Sequence, residues 1–201
     1  MPRAKQRTPE LRDHVLSVAV GLLGREGVAG FTTRSVAREA ETSTPAVYEL
    51  FGDKSGLVRE VFFEGFRLLR RRLGTLVDSD DPRADLVRLA QIYRGFIRDN
   101  PVLSDVMFSR PFTDFEPGPS ELEASGSVRI FIVERVRRCV EPGLLRGDET
   151  DIAHVLVSLV QGMAAAENAG RLGTTRESVD RRWVVGVNAV LGGLSARRAE
   201  P

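Results

Sequence analysis

The stretch TTRSVAREAETSTPAVYELFGDKSGL, residues 32–57, predicts two short helices joined by a tight turn. Thr32 and Thr33 precede one apolar helical pattern, and Ser43 and Thr44 precede the next; their hydroxyls can cap the free backbone N–H groups of a first turn. Pro45 fits the first turn of the second helix, because an N–H there has no helical partner. Two short helices at this spacing form the motif that places its second helix in the DNA major groove. The stretch therefore predicts DNA binding.

Seven residues stand at the spacing of the tetracycline-repressor (TetR) family signature: Ala37, Ala40, Ser43, Tyr48, Phe51, Lys54 and Leu57. The resemblance covers about residues 10–62, including a preceding amphipathic helix and a glycine-rich turn. It implies an all-α fold with two domains. Residues 1–55 would be a three-helix helix-turn-helix DNA-binding domain with a basic N-terminal arm, and residues 56–201 a helical ligand-binding and dimerisation domain.

Two residues depart from the family pattern in the turn between the short helices. Glu41 stands where the family usually has glycine, and Thr42 where it usually has a small aliphatic residue. Glu41 must therefore either adopt a positive φ, which is unfavourable for a residue with a Cβ, or turn the chain in another way. It also introduces an acid beside the DNA-binding surface.

Helical spacing of apolar residues continues along the whole chain, whereas the alternation typical of strands is absent. Breaks that contain proline or acidic residues fall at 78–82, 100–101, 109–120 and 142–148. The spacing predicts about nine helices: three in the DNA-binding unit, a connecting fourth, and five in a C-terminal bundle.

The composition excludes several classes of protein. The net charge is +1 and no apolar stretch is long enough to span a membrane, so we expect no membrane partner. The N-terminus, MPRAKQRTPE, lacks the apolar region of a signal peptide, and a single cysteine, Cys139, excludes an internal disulfide. A reducing, cytoplasmic location is expected, with Cys139 as a small buried residue rather than a redox group.

Positive charge is concentrated at the start of the chain. Residues 1–12 hold Arg3, Lys5, Arg7 and Arg12 against Glu10, a local excess of three positive charges. This arm could reach phosphates or the minor groove, or it could be a solvated tail.

The resemblance implies DNA contacts for seven residues: Thr33, Arg34, Thr44, Pro45, Ala46, Tyr48 and Lys54. The recognition helix, Thr44 to Leu50, would read bases through its first three residues. Arg34 would donate to guanine O6 and N7, while Thr33, Tyr48 and Lys54 would hold phosphates.

Aromatic, methionine and amide residues of the central helices are candidates for a ligand cavity: Phe62, Phe66, Tyr93, Phe96, Met107, Phe108, Phe131 and Gln161. Arg94 and Glu167 are further polar candidates. Most of these side chains must be ordinary core, since an aromatic stripe at helical spacing is usually packing, but the resemblance favours a cavity for a small, largely apolar effector of unknown identity. No cofactor or metal is expected.

Apolar stripes on the last two helices predict a homodimer, since a regulator that reads two half-sites gains affinity by pairing. The interface residues inferred from these stripes and the resemblance are Leu156, Leu159, Met163, Trp183, Val187 and Leu191. The same stripes could also be the core of a single chain.

The function that these patterns favour is a ligand-responsive transcriptional repressor on a pseudo-palindromic double-stranded operator. Two alternatives stay open: a constitutive DNA-binding protein without a ligand, and an all-α enzyme. The enzyme lacks support in the sequence. His14 and His154 are far apart, and neither a metal-binding spacing nor a nucleophile elbow is present.

Overall fold

The computed structural model describes residues 8–109, 112 and 118–195, apart from the side chains of residues 120–122 and 124. The regular elements of these residues are nine helices, which confirms the predicted all-α architecture: α1 (Pro9–Gly30), α2 (Thr33–Glu39), α3 (Thr44–Phe51), α4 (Lys54–Leu73), α5 (Pro82–Asp99), α6 (Pro101–Phe108), α7 (Pro119–Val140), α8 (Glu149–Asn168) and α9 (Arg176–Gly193). Within the described ranges, no helix is both long and apolar enough to cross a bilayer.

Parts of two predictions fall outside the described residues. Arg3, Lys5 and Arg7 of the basic arm precede residue 8, and most of the loop predicted at 109–120 lies between the described ranges.

Local sequence signals set the helix ends. Thr32 caps α2 in a reciprocal arrangement with Ser35, in which each hydroxyl accepts from the other residue's backbone N–H at 3.0 Å. The Ser43 Oγ accepts from the Ala46 N–H at 3.2 Å and caps α3, and Pro45 lies in the first turn of α3. At each start, the first of the two hydroxyl residues that the sequence offers is the cap, and Thr33 and Thr44 are the first residues of the helices.

The turn between α2 and α3 uses a positive φ at Glu41, the first of the two geometries considered above. Its φ is 50°. The Thr42 N–H donates to the Ala37 carbonyl at 2.9 Å and the Glu41 N–H to the Arg38 carbonyl at 3.3 Å. This pair of bonds is the Schellman arrangement, in which glycine usually occupies the residue that Glu41 fills here.

The described residues form two compact units. The first contains α1 to α3, α4 as far as Arg67, and α6; the second contains the end of α4, α5, α7 from Gly126, α8 and α9. Helix α4 thus contributes residues to both units. The division into domains at residues 55 and 56 stays a prediction.

The first unit is built on the apolar face of α1, which packs on α2 and α6. Val15, Ala19 and Leu22 are completely buried there. Helix α4 approaches α6 closely at Gly65, where a Cβ would lie 2.6 Å from the Met107 sulfur. A side chain at this position would therefore have to displace Met107.

In the second unit, α5, α8 and α9 are joined by a buried ion pair. Arg94 of α5 donates from Nε and Nη2 to the two carboxylate oxygens of Glu167 on α8, each at 2.8 Å. The Trp183 indole of α9 donates to the same carboxylate at 2.6 Å, and Asp180 pairs with Arg94 at 2.7 Å. Both partners of a buried charge pair are thereby satisfied, as burial requires.

A completely buried carboxylate, Asp85, fixes the start of α5. It accepts from the Ser79 N–H at 2.9 Å, from the Ser79 hydroxyl at 2.7 Å and from Arg138 of α7 at 2.8 Å. Burial alone would raise the pKa of Asp85, but these hydrogen bonds and the charge of Arg88 hold it below the ordinary value.

Candidate nucleic-acid interface

Helix α3 has one buried and one exposed side. Val47 is completely buried and Phe51 is 8% exposed, whereas Pro45, Tyr48 and Glu49 are exposed. At about 100° of rotation per residue, Pro45 and Glu49 lie on the side of the helix opposite Val47. The outward side of α3 is exposed, so its shape suits insertion into a groove.

The residues assigned to DNA from the sequence differ in exposure. Arg34 is exposed on α2, and Thr44 and Ala46 are half-buried at the start of α3. Thr33 is only 9% exposed, and its Oγ1 lies 3.3 Å from Tyr48 Oη. The Thr33 side chain therefore orients the Tyr48 phenol, a relation that the sequence pattern does not reveal.

The α3–α4 turn places Lys54 at the surface. Lys54 is exposed, with its Nζ 5.4 Å from the centre of the Phe112 ring. Asp53 caps α4 through its Oδ1, which accepts from the Gly56 N–H at 2.7 Å. A Cβ at Gly56 would collide with the Phe51 carbonyl oxygen, so this tight turn requires glycine.

Ion pairs hold α2 and α4 against α1. Arg12 pairs with Glu60 of α4 at 2.7 Å, and its guanidinium lies 5.3 Å from the centre of the Phe51 ring. Arg25 pairs with Glu39 of α2. The assignment of Arg12 to a flexible basic arm is wrong, because Arg12 lies within the first turns of α1 and binds a partner.

Four of the predicted ligand residues lie together in the first unit. The Phe62 and Phe66 rings are 4.9 Å apart, and the Phe66 and Phe108 rings are 6.0 Å apart in an edge-to-face arrangement. Met107 contacts the chain at Gly65. The four side chains form an aromatic and sulfur cluster between α4 and α6.

The other four lie in the second unit. Gln161 donates from Nε2 to Tyr93 Oη at 3.0 Å, and burial raises the pKa of Tyr93. The guanidinium groups of Arg70 and Arg135 lie 4.1 and 3.6 Å from the centre of the Phe131 ring, and Phe96 is buried. A single cavity lined by both sets stays a prediction.

Arg94 and Glu167 bind each other, as described above, and so are not free polar groups for a ligand. Arg94 does border a surface groove of about 480 Å³ between the end of α4 and α5, together with Arg72, Gly95 and Arg98. The sequence pattern does not indicate this groove, because residues from two helices form it.

The predicted dimer interface needs correction. Trp183, Val187 and Leu191 have no exposed surface, and Leu156 is 7% exposed. Leu159 and Met163 are half-buried. The stripe of α9 packs on α5 and α8 of the same chain, so Leu156, Trp183, Val187 and Leu191 form the core of a single chain, the alternative that the pattern left open. For Leu159 and Met163 the interface role stays a prediction.

A different side of α8 and α9 is apolar and exposed. Val155 of α8 is 49% exposed, and Val184 and Val185 of α9 are 51% and 67% exposed. Exposed small residues continue this surface on both helices: Gly162, Ala165, Ala189 and Gly192. Val184 and Val185 line a surface groove of about 540 Å³ together with three charged residues of α9: Glu177, Asp180 and Arg181.

The surroundings of the single cysteine and the two histidines support neither a redox role nor a metal-binding role. Cys139 is completely buried, and burial raises the pKa of its thiol to about 11, which agrees with a small buried core residue. His14 and His154 are exposed. Across residues 8–109, 112 and 118–195, no His, Cys, Asp and Glu side chains group as a metal site would require.

Comparison with known proteins identifies two matching family patterns. Residues 15–61 match the pattern described as bacterial regulatory proteins, tetR family, and residues 86–190 match the tetracyclin repressor-like C-terminal domain. The second match alone covers more than half of the chain.

The chain is also similar to individual transcriptional regulators. The chain is 35% identical over 60 residues to the HTH-type transcriptional regulator AcrR of Shigella flexneri, across 30% of this chain and 28% of the relative. It is 30% identical over 87 residues to the HTH-type nicotine-responsive transcriptional repressor HdnoR of Paenarthrobacter nicotinovorans, across 43% of this chain and 45% of the relative. Each alignment therefore spans less than half of the relative's length.

A solved structure extends the similarity to nearly the whole chain. A protein of unknown function from Rhodococcus sp. RHA1 superposes with a TM-score of 0.81 at 26% identity, covering 96% of this chain and 100% of that one.

Proposed function

Because the chain belongs to the TetR family of transcriptional regulators and carries that family's DNA-binding domain, we propose that it is a ligand-released repressor. In this proposal a homodimer binds a pseudo-palindromic operator in the cytoplasm. The observation that carries it is the helix-turn-helix of α2 and α3, whose exposed side is available for a groove. Family membership excludes the all-α enzyme.

Base reading is proposed for Thr44, Pro45 and Ala46 at the start of α3, and for Arg34 on α2. The bidentate guanidinium of arginine matches guanine O6 and N7, and the exposure of Arg34 supports this role. Tyr48, oriented by Thr33, and Lys54 would contact phosphates and thereby set the register of the helix.

Substitutions can separate these two roles. Lys54→Ala should weaken binding to operator and random DNA alike and reduce the salt slope by about one, because one phosphate contact is lost. Arg34→Ala should weaken binding to the operator by about 1–3 kcal/mol and relax the preference at one base pair. Fluorescence titrations at several salt concentrations measure both effects. Equal losses for both variants on both DNAs would contradict the assignment.

Dimerisation is proposed through the exposed side of α8 and α9. The exposed valines Val155, Val184 and Val185 supply apolar area, and the small residues beside them permit close approach of another helix. A dimer would present two recognition helices to half-sites about 34–36 Å apart, or a multiple of that distance.

Val185→Glu tests this surface, because Val185 is exposed in the single chain and its replacement should leave the fold intact. A glutamate there would be buried without a partner in the dimer, which is unfavourable. Val77→Glu is the matched control, since Val77 is 80% exposed in the segment before α5. Sedimentation velocity should show a dimer for the wild type and the control, but a monomer for Val185→Glu. A dimeric Val185→Glu would place the interface elsewhere.

Release by a small, largely apolar molecule is proposed from two observations. The relative HdnoR is described as nicotine-responsive. The Tyr93–Gln161 pair of the second unit supplies polar groups among buried apolar residues, which suits an apolar ligand with one polar group. The aromatic residues Phe62, Phe66 and Phe108 of the first unit form a separate cluster suited to an apolar ligand. Helix α4 begins directly after the helix-turn-helix and contributes to both units, so it is the element that we propose a ligand displaces.

A thermal-shift screen should identify such a molecule, since a ligand stabilises the protein by RT ln(1 + [L]/Kd). Gln161→Leu should then change the concentration needed for operator release while leaving ligand-free operator affinity intact, because pocket residues alter the coupling between sites. Asn168→Leu, an exposed change on the same helix, is the control. If no molecule releases the operator, the constitutive alternative holds.

A further inference from the structure

Glu49 is the one side chain of α3 that carries a charge at neutral pH, since the helix reads TPAVYELF. It is exposed, one turn beyond Pro45, and about 160–200° around the helix axis from the buried Phe51 and Val47. A recognition helix that inserts its outward side into the major groove therefore brings a carboxylate, not a cation, to the base edges.

A carboxylate can only accept hydrogen bonds, and it is repelled by phosphates. In the major groove, guanine and thymine present acceptors to it, whereas adenine and cytosine each present an amino donor. The adenine donor lies beside the N7 acceptor, which repels a carboxylate. On the cytosine base the N4 amino group is flanked by C5–H instead of a ring acceptor, so cytosine is the favourable partner.

We propose that Glu49 is a specificity-determining residue that accepts a hydrogen bond from the N4 amino group of a cytosine in each half-site. The inference rests on the proposed operator binding. It adds an acidic reader to the neutral and basic residues assigned above. Because the same carboxylate repels phosphates, Glu49 also lowers affinity for DNA that lacks this cytosine and so widens the difference between operator and random sequence.

Selection of bound duplexes from a randomised library tests the proposal. The wild type should select a half-site with a C·G pair at one position, preferred by about 5- to 150-fold over the other pairs. Glu49→Ala should lose the preference at this position alone. Glu49→Gln should change it from cytosine to adenine, because glutamine bonds to adenine N6 and N7 together. Asp13→Asn, which removes an exposed acid of α1, should select the wild-type half-site.

Several results would overturn the proposal. The selected half-site could be the same for wild type, Glu49→Ala and Glu49→Gln, with only the overall affinity changed; Glu49 would then act on DNA by repulsion alone. The variants could instead lose preference equally at every position, which would assign Glu49 a structural role. If the wild type selects no sequence at all, the proposed operator binding itself fails, an outcome distinct from the other two.

Discussion

Replacing Glu167 by glutamine should destabilise the second unit strongly, because it breaks a buried ion pair while leaving Arg94 in place. The Arg94 side chain is 8% exposed and that of Glu167 is 16% exposed. Loss of one partner of a buried pair costs about 3–5 kcal/mol. Asp180 still pairs with Arg94, so we expect about 3 kcal/mol, which lowers the Tm by about 6–12 °C for a chain of this size.

Calorimetric or circular-dichroism melting at pH 7 measures this change. The matched control is Glu177→Gln, an exposed acid in the first turn of α9, which should lie within about 0.5 kcal/mol of the wild type. In a double-mutant cycle, Glu167→Gln combined with Arg94→Met should lose less stability than the sum of the single variants. A Tm for Glu167→Gln within 2 °C of the wild type, as a rough threshold, would refute the reasoning.

The pH dependence gives an independent check on the same pair. Burial alone would raise the pKa of Glu167, but hydrogen bonds from Arg94 and Trp183 hold it below the ordinary value. A lowered pKa in the folded state stabilises the protein above the unfolded-state pKa of about 4.3, and that stabilisation is lost as the pH falls through the folded-state pKa. The difference in stability between wild type and Glu167→Gln should therefore narrow below about pH 4.

Two further substitutions test the backbone conformation, and one chemical reaction tests the burial of Cys139. Glu41→Gly should raise the free energy of unfolding by about 1 kcal/mol, because glycine adopts the positive φ of this residue without strain. Glu41→Gln keeps a Cβ at the same φ and should not be more stable than the wild type. Equal melting temperatures for the two variants would contradict this reasoning. Gly56→Ala should lower the free energy of unfolding by about 1–3 kcal/mol, because its Cβ would collide with the Phe51 carbonyl oxygen. Gly24→Ala is the control: a Cβ there meets no atom, so thermal melting should show no loss of stability. Cys139 should react with a thiol reagent far more slowly in the native than in the urea-unfolded protein at pH 8, since burial raises its pKa to about 11; similar rates would show an accessible thiol.

Much of the fold follows from local signals in the sequence. Caps such as Thr32 and Ser43, and the prolines at the starts of helices, act within one turn of the chain, so their effect can be read without knowing the tertiary structure. The exposed side of α3 follows in the same way, because its rotation relative to the buried Val47 depends only on helix geometry. The turn at Glu41 left two geometries open, since a non-glycine residue disfavours positive φ without forbidding it.

The sequence by itself determined the helices, their order, and the apolar stripes that are buried. It could not determine what buries them. Trp183, Val187 and Leu191 make the same pattern whether they face a partner or their own chain, and only the packing of α9 on α5 and α8 assigns them to the core of one chain. Arg94 and Glu167, 73 residues apart, likewise became a pair only when α5 met α8. Burial is a property of the assembled surface, so local periodicity cannot specify the partner.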